Sequence, residues 1–119
     1  MDKNIVVLED NLDIQKLIKY LLINEDHHVD AYETVKDFWE GIAHQKIDLF
    51  ILDVMLPDGN GFSICKKLKS SDLTKHIPIM LISENLSSHG NGSEWKAQDF
   101  IQKPFDIDNF IARVSFLLL

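Results

Sequence analysis

The chain has 119 residues, 45% of them hydrophobic, enough apolar material for one compact domain and too little for two. Acidic residues outnumber basic ones by 19 to 12, a formal charge of −7, and no Lys/Arg run is longer than Lys66-Lys67, which argues against a phosphate-gripping stripe and against direct nucleic-acid binding by this segment. The single cysteine, Cys65, excludes an internal disulfide, and no basic leader or run of roughly 18 apolar residues marks a signal or membrane span, so a soluble, cytoplasmic chain without membrane contact is expected.

Ile5 to Leu8 is a short apolar run rich in β-branched residues, the pattern of a strand buried on both faces of a parallel sheet, and it ends at Glu9-Asp10. After Asn11, Ile14, Leu17, Ile18, Leu21 and Leu22 recur at helical spacing and predict one buried stripe. His28 to Tyr32 reads as a second strand. Val35, Phe38, Trp39 and Ile42 then mark a second helix that starts near Glu33 or Thr34.

Ile47 to Leu52 is the next apolar run, and Asp53 stands at its end. Leu56-Pro57-Asp58-Gly59-Asn60-Gly61 is dense in turn formers, and Phe62, Ile64, Cys65 and Leu68 predict a helix beyond it that buries the Cys65 thiol. Pro78 leads into Ile79 to Ile82, closed by Ser83. From Glu84 to Glu94 only Leu86 is apolar, so the helix expected between two parallel strands is weakly specified there, and Trp95 is read as a packing residue that anchors its end. Phe100-Ile101 forms a short last strand before Lys103-Pro104-Phe105, and Ile107, Phe110, Ile111, Val114, Leu117 and Leu118 give a final helix.

Strands alternating with helices predict an α/β fold with a five-stranded parallel sheet covered on both faces. In such sheets the functional site lies beyond the carboxyl ends of the strands, where strand order reverses. Glu9, Asp10, Asp53, Ser83 and Lys103 all fall at strand ends. Three carboxylates held close together repel unless cations balance them, and a hard divalent ion such as Mg²⁺ suits an open set of oxygen ligands. Phosphoryl transfer needs a nucleophile, a metal and fixed donors. Asp53, with a reference pKa of about 3.9, is the expected acceptor, already ionised at neutral pH. Glu9 and Asp10 are assigned to the metal, and Lys103 and the Ser83 hydroxyl to the phosphoryl oxygens.

Val6-Val7-Leu8-Glu9-Asp10-Asn11, Leu49 through Gly61, Pro78 through Ser83, and Phe100 through Phe105 occur in an order and spacing that resembles the receiver domain of two-component response regulators. The resemblance covers nearly the whole chain. It implies a flavodoxin-like (CheY-like) fold, residues 1–119 as a single receiver domain, and phosphoryl transfer to Asp53 from a sensor histidine kinase or phosphotransfer protein. Such a domain is a phosphoacceptor that signals to a downstream effector, with at most self-phosphorylation and slow self-dephosphorylation of its own. The resemblance also implies the Met55 main-chain carbonyl as a metal ligand, a cis bond between Lys103 and Pro104, and a switch in which Ser83 moves toward the phosphoryl group while Phe100 turns inward. Asp99 and Arg113 become candidates for a symmetric homodimer contact. The apolar end at Phe116 to Leu119 suggests a receiver excised from a longer regulator.

Three positions depart from the family pattern: Glu9 stands where Asp is commoner, Phe100 where Tyr is frequent, and Glu84 where a small residue is usual. Two other functions compete. A haloacid dehalogenase-type phosphatase wants a second Asp two residues after the nucleophile, where this chain has Met55. A phosphorylation-independent interaction module would have no use for Asp53, Lys103 and the acidic pair. The five histidines show no zinc-site spacing and are read as surface or loop residues.

Overall fold

A computed structural model describes residues 2–43, 45–84 and 96–119. Five parallel strands, β1 (Asn4–Leu8), β2 (His28–Tyr32), β3 (Leu49–Asp53), β6 (Ile79–Ser83) and β7 (Asp99–Gln102), form one sheet in the order β2-β1-β3-β6-β7. A two-residue antiparallel pair, β4 (Met55–Leu56) and β5 (Gly59–Asn60), leaves the end of β3. Strand order reverses at β1, with β2 on one side and β3 on the other. The ends of β1 and β3 therefore flank the switch point.

Four helices cover the sheet among the described residues: α1 (Leu12–Asn24), α2 (Val35–Ile42), α3 (Gly61–Ser70) and α4 (Ile107–Leu117). Strand residues alternate between two cores. Ile5, Val7, Leu49, Ile51, Met80 and Ile82 face α1 and α4, whereas Val6, Leu8, Phe50, Leu52, Ile79 and Leu81 face α2 and α3. This two-sided burial is why β1, β3 and β6 read as continuous apolar runs rather than alternating ones. Cys65 is buried in the α3 core.

Each helix begins on a side-chain oxygen that accepts otherwise unpaired backbone N–H groups. Asn11 caps α1, Thr34 α2, Asn60 α3 and Asp106 α4. Two apolar residues depart from their expected places: Leu17 is 39% exposed at the edge of the stripe formed by Ile18, Leu21 and Leu22, and Ile107 is 44% exposed at the first position of α4. The weak helix expected over 84–94 and Trp95 fall, apart from Glu84, outside the described residues. No helix among the described residues is long and apolar enough to cross a membrane.

Candidate functional site

The strand ends bring the sequence-identified side chains to one place. Glu9 leaves β1 with its N–H donating to the Tyr32 carbonyl at 3.0 Å, and the Gln15 amide donates to the carbonyls of Glu9 and Tyr32, so α1 and β2 fix this turn. The Glu9 side chain is fully buried. One of its carboxylate oxygens, Oε2, accepts from the Asn11 N–H at 3.1 Å, and the other, Oε1, lies 2.7 Å from the Lys103 ammonium. Lys103 Nζ also donates to Asp53 Oδ2 at 3.2 Å. Asp10 is exposed, yet carboxylate oxygens of Glu9, Asp10 and Asp53 all lie within 4.8 Å of one another.

Asp53 ends β3 and is 4% exposed. Its backbone is approached closely by the start of α3: a Cβ added to Gly61 would stand 2.4 Å from the Asp53 carbonyl oxygen, so only glycine lets the chain return here without displacing the acceptor. Ser83 is buried at the end of β6, and its carbonyl accepts from the Lys103 N–H at 2.8 Å, which ties the two loops together. The Lys103–Pro104 peptide is cis, as the resemblance implied. Phe100 is half-buried, its ring 6.5 Å from that of Phe62. Met55 is exposed on the loop after Asp53.

Burial pushes the Asp53 carboxyl up to about 8, and the neighbouring Glu9 carboxylate adds to the rise while Lys103 opposes it. Burial and Glu9 thus work against the ionised acceptor expected from the reference value, and a further cation beside Asp53 would favour it. Burial acts to lower Lys103, but Glu9 and Asp53 more than reverse that, and its pKa is raised. Mg²⁺ takes octahedral oxygen ligands at about 2.0–2.1 Å, so opposed ligands stand about 4 Å apart. Three carboxylate oxygens within 4.8 Å of one another, one from a fully buried side chain, are the donor type such an ion takes and need to close by less than about 1 Å to reach that spacing.

Two residues take roles the sequence reading did not give them. Asp58, read as a turn former, accepts from the N–H groups of Val35 at 2.8 Å and Lys36 at 3.2 Å, anchoring the loop after Asp53 to the start of α2. Its position 22 and 23 residues from its donors leaves no local signal. Arg113 pairs with Asp99 at 3.1 Å and donates to the Phe100 carbonyl at 2.8 Å within one chain, contacts the sequence reading did not name.

Residues 5–115 match the response regulator receiver domain family. Response regulator ArlR from Staphylococcus epidermidis is 32% identical over 117 residues, 97% of this chain and 52% of the relative. The chain thus spans about half the length of the curated relatives it matches. The BeF3-activated receiver domain of DrrB superposes with a TM-score of 0.87 at 29% identity, covering 99% of this chain and 98% of that one. The BeF3-activated N-terminal receiver domain of Klebsiella pneumoniae RstA gives 0.87 at 30% identity, covering 97% of each. A family match over almost the whole length, on the same five-stranded topology, makes this chain a member of the response regulator receiver domain family of two-component signalling.

Proposed function

We propose that Asp53 is the phosphoacceptor, that Glu9, Asp10, Asp53 and the Met55 carbonyl hold Mg²⁺, and that Lys103 and Ser83 hold the phosphoryl oxygens. The observation that carries this reading is the Lys103 ammonium set between two buried carboxylates, 2.7 Å from Glu9 and 3.2 Å from Asp53, with Asp10 alongside. A carboxylate oxygen of Asp53 attacks the phosphorus of a donor phosphohistidine. A phosphorus–oxygen bond forms, the phosphorus–nitrogen bond breaks, and its electron pair stays on the imidazole nitrogen. Bound Mg²⁺ supplies positive charge against the carboxylates and the equatorial phosphoryl oxygens.

In this reading Lys103 leaves its carboxylate partners in part to pair with the new phosphoryl group. The Ser83 hydroxyl, at the adjacent strand end, donates to another of its oxygens. Phosphorylation adds about −1.5 to −2 charge and three acceptor oxygens, enough to hold the Ser83 loop and the Phe100 ring in a second arrangement. The donor is a sensor histidine kinase or phosphotransfer protein in the cytoplasm, and the receiver, taken as one unit over 1–119, passes the change to an effector. It acts as a substrate of phosphotransfer rather than as an enzyme in its own right.

Acetyl phosphate with Mg²⁺, followed by intact-mass analysis, tests this. The parent gains one phosphoryl mass and Asp53→Asn gains none. An equal gain in both, or none in either with acetyl phosphate and with phosphoramidate, defeats the assignment.

A further inference from the structure

Among the described residues, Glu84 is a carboxylate beside the site to which the phosphoacceptor reading gives no task. It follows Ser83 directly, is exposed, and lines a cleft of about 510 Å³ together with Ile14, Leu17, Lys103, Pro104 and Phe105. Lys103 thus belongs at once to this cleft and to the Asp53 ion pair. The register places Asp53 opposite Ile82 on the neighbouring strand, so Glu84 is two residues past the acceptor's partner. With strands about 4.8 Å apart and a rise of about 3.3 Å per residue, the two backbones are about 8 Å apart.

At that distance Glu84 adds a fourth carboxylate to Glu9, Asp10 and Asp53, against the ammonium of Lys103. No cation among the described residues pairs with Glu84. A divalent ion bound by the other three carboxylates leaves the Glu84 charge in place, because Glu84 is not part of their cluster. Glu84 and Lys103 line the same cleft, so an anion that reaches Lys103 there comes under the field of the Glu84 carboxylate as well.

Building on the phosphoacceptor reading, we propose that Glu84 is a specificity-determining residue. It disfavours small dianionic phosphodonors and leaves access to donors that bring the phosphoryl group together with positive charge, as a phosphohistidine set among basic side chains does. Like charges separated on the order of the 8 Å between the two backbones, near a protein surface and partly screened by salt, alter the encounter of a dianion by about tenfold and that of a monoanion by about threefold. The effect is electrostatic rather than steric, because an exposed side chain at the rim of an open cleft can swing aside.

The test follows phosphorylation rates by intact mass with acetyl phosphate, close to a dianion at neutral pH, and phosphoramidate, which carries a protonated nitrogen and about one net negative charge. Glu84→Gln keeps the shape and removes the charge. At low ionic strength it should speed acetyl phosphate about tenfold and phosphoramidate about threefold. The gain should shrink to within about twofold near 1 M salt, where the screening length is about 3 Å. Parent-like rates for Glu84→Gln with both donors overturn the proposal, as does an equal speeding of both donors by Glu84→Ala that Glu84→Gln lacks. Failure of the underlying reading is separate: then Asp53→Asn matches the parent with either donor, and both conclusions fall together.

Discussion

Lys103 holds together a site that would otherwise repel itself. Taking an ammonium out of water costs several kcal/mol, and here that cost is offset by contacts to Glu9 at 2.7 Å and Asp53 at 3.2 Å. Lys103→Met leaves buried carboxylates without a counter-charge, so in a chelator it should lower stability by about 3 kcal/mol. Asp53→Asn acts the other way. Its folded pKa of about 8 stands above the ordinary value of 3.8, so between those values the folded state holds a proton that the unfolded chain has released. Stability from this group is full below about pH 4 and is lost as pH rises toward about 8. Removing the ionisable group should therefore stabilise the ion-free protein by on the order of 2 kcal/mol at pH 7.5, with parent and variant converging near pH 4. Urea unfolding across this range checks both variants; a parent that gains stability as pH rises to 8, relative to Asp53→Asn, would mean that Lys103 outweighs burial.

At the scale of elements, α2 depends on a residue far away in sequence. It has only eight residues, too few to be stable alone, and its first N–H groups are held by Thr34 and by the Asp58 carboxylate on the β4–β5 turn. Those N–H donors lower the Asp58 pKa, so its contribution is present above the ordinary carboxylate range and disappears as pH falls through it. Asp58→Ala should lower the unfolding temperature at pH 7, in the same direction as loss of the Thr34 cap. In acid the Asp58 penalty should vanish while the Thr34 penalty stays, which thermal unfolding at two pH values reads directly. This contact also marks the boundary of what was legible in sequence. Buried runs such as Leu49 to Leu52, the stripe of Ile18, Leu21 and Leu22, and the polar residue closing each strand follow from local periodicity, and so the fold and the gathering of Glu9, Asp53 and Lys103 were readable. Partner choice was not. Asp58 bonds across 22 residues, and Glu9 turns to Lys103 because an ammonium 2.7 Å away is the counter-charge at hand.

For the molecule as a whole, the site and the deepest thiol lie on different layers of one sheet. Cys65 is buried in the core under α3, and burial pushes its thiol up to about 11, so alkylation near neutral pH requires the protein to open. The acidic cluster stands instead at the ends of β1 and β3, where an ion would bind the folded chain and not the unfolded one. Two routes of opening are then distinguishable. If α3 detaches alone, the carboxylates stay together and Mg²⁺ has little effect on Cys65 labelling. If the sheet must come apart, binding raises the opening free energy by RT ln(1 + [L]/Kd), and Mg²⁺ at about 100 times its Kd slows labelling about 100-fold. The second outcome is expected, because α3 is joined to the site at its first residue: the Gly61 N–H donates to the Val54 carbonyl at 2.9 Å, and the Gly61 Cα packs against the Asp53 carbonyl too closely for a side chain. The Val54 N–H in turn donates to Ile82 of the neighbouring strand at 2.9 Å, so loosening the start of α3 loosens the sheet beneath the acceptor. Labelling of Cys65 by a soluble thiol reagent, with and without Mg²⁺, measures this coupling from the side of the sheet that the ion never touches.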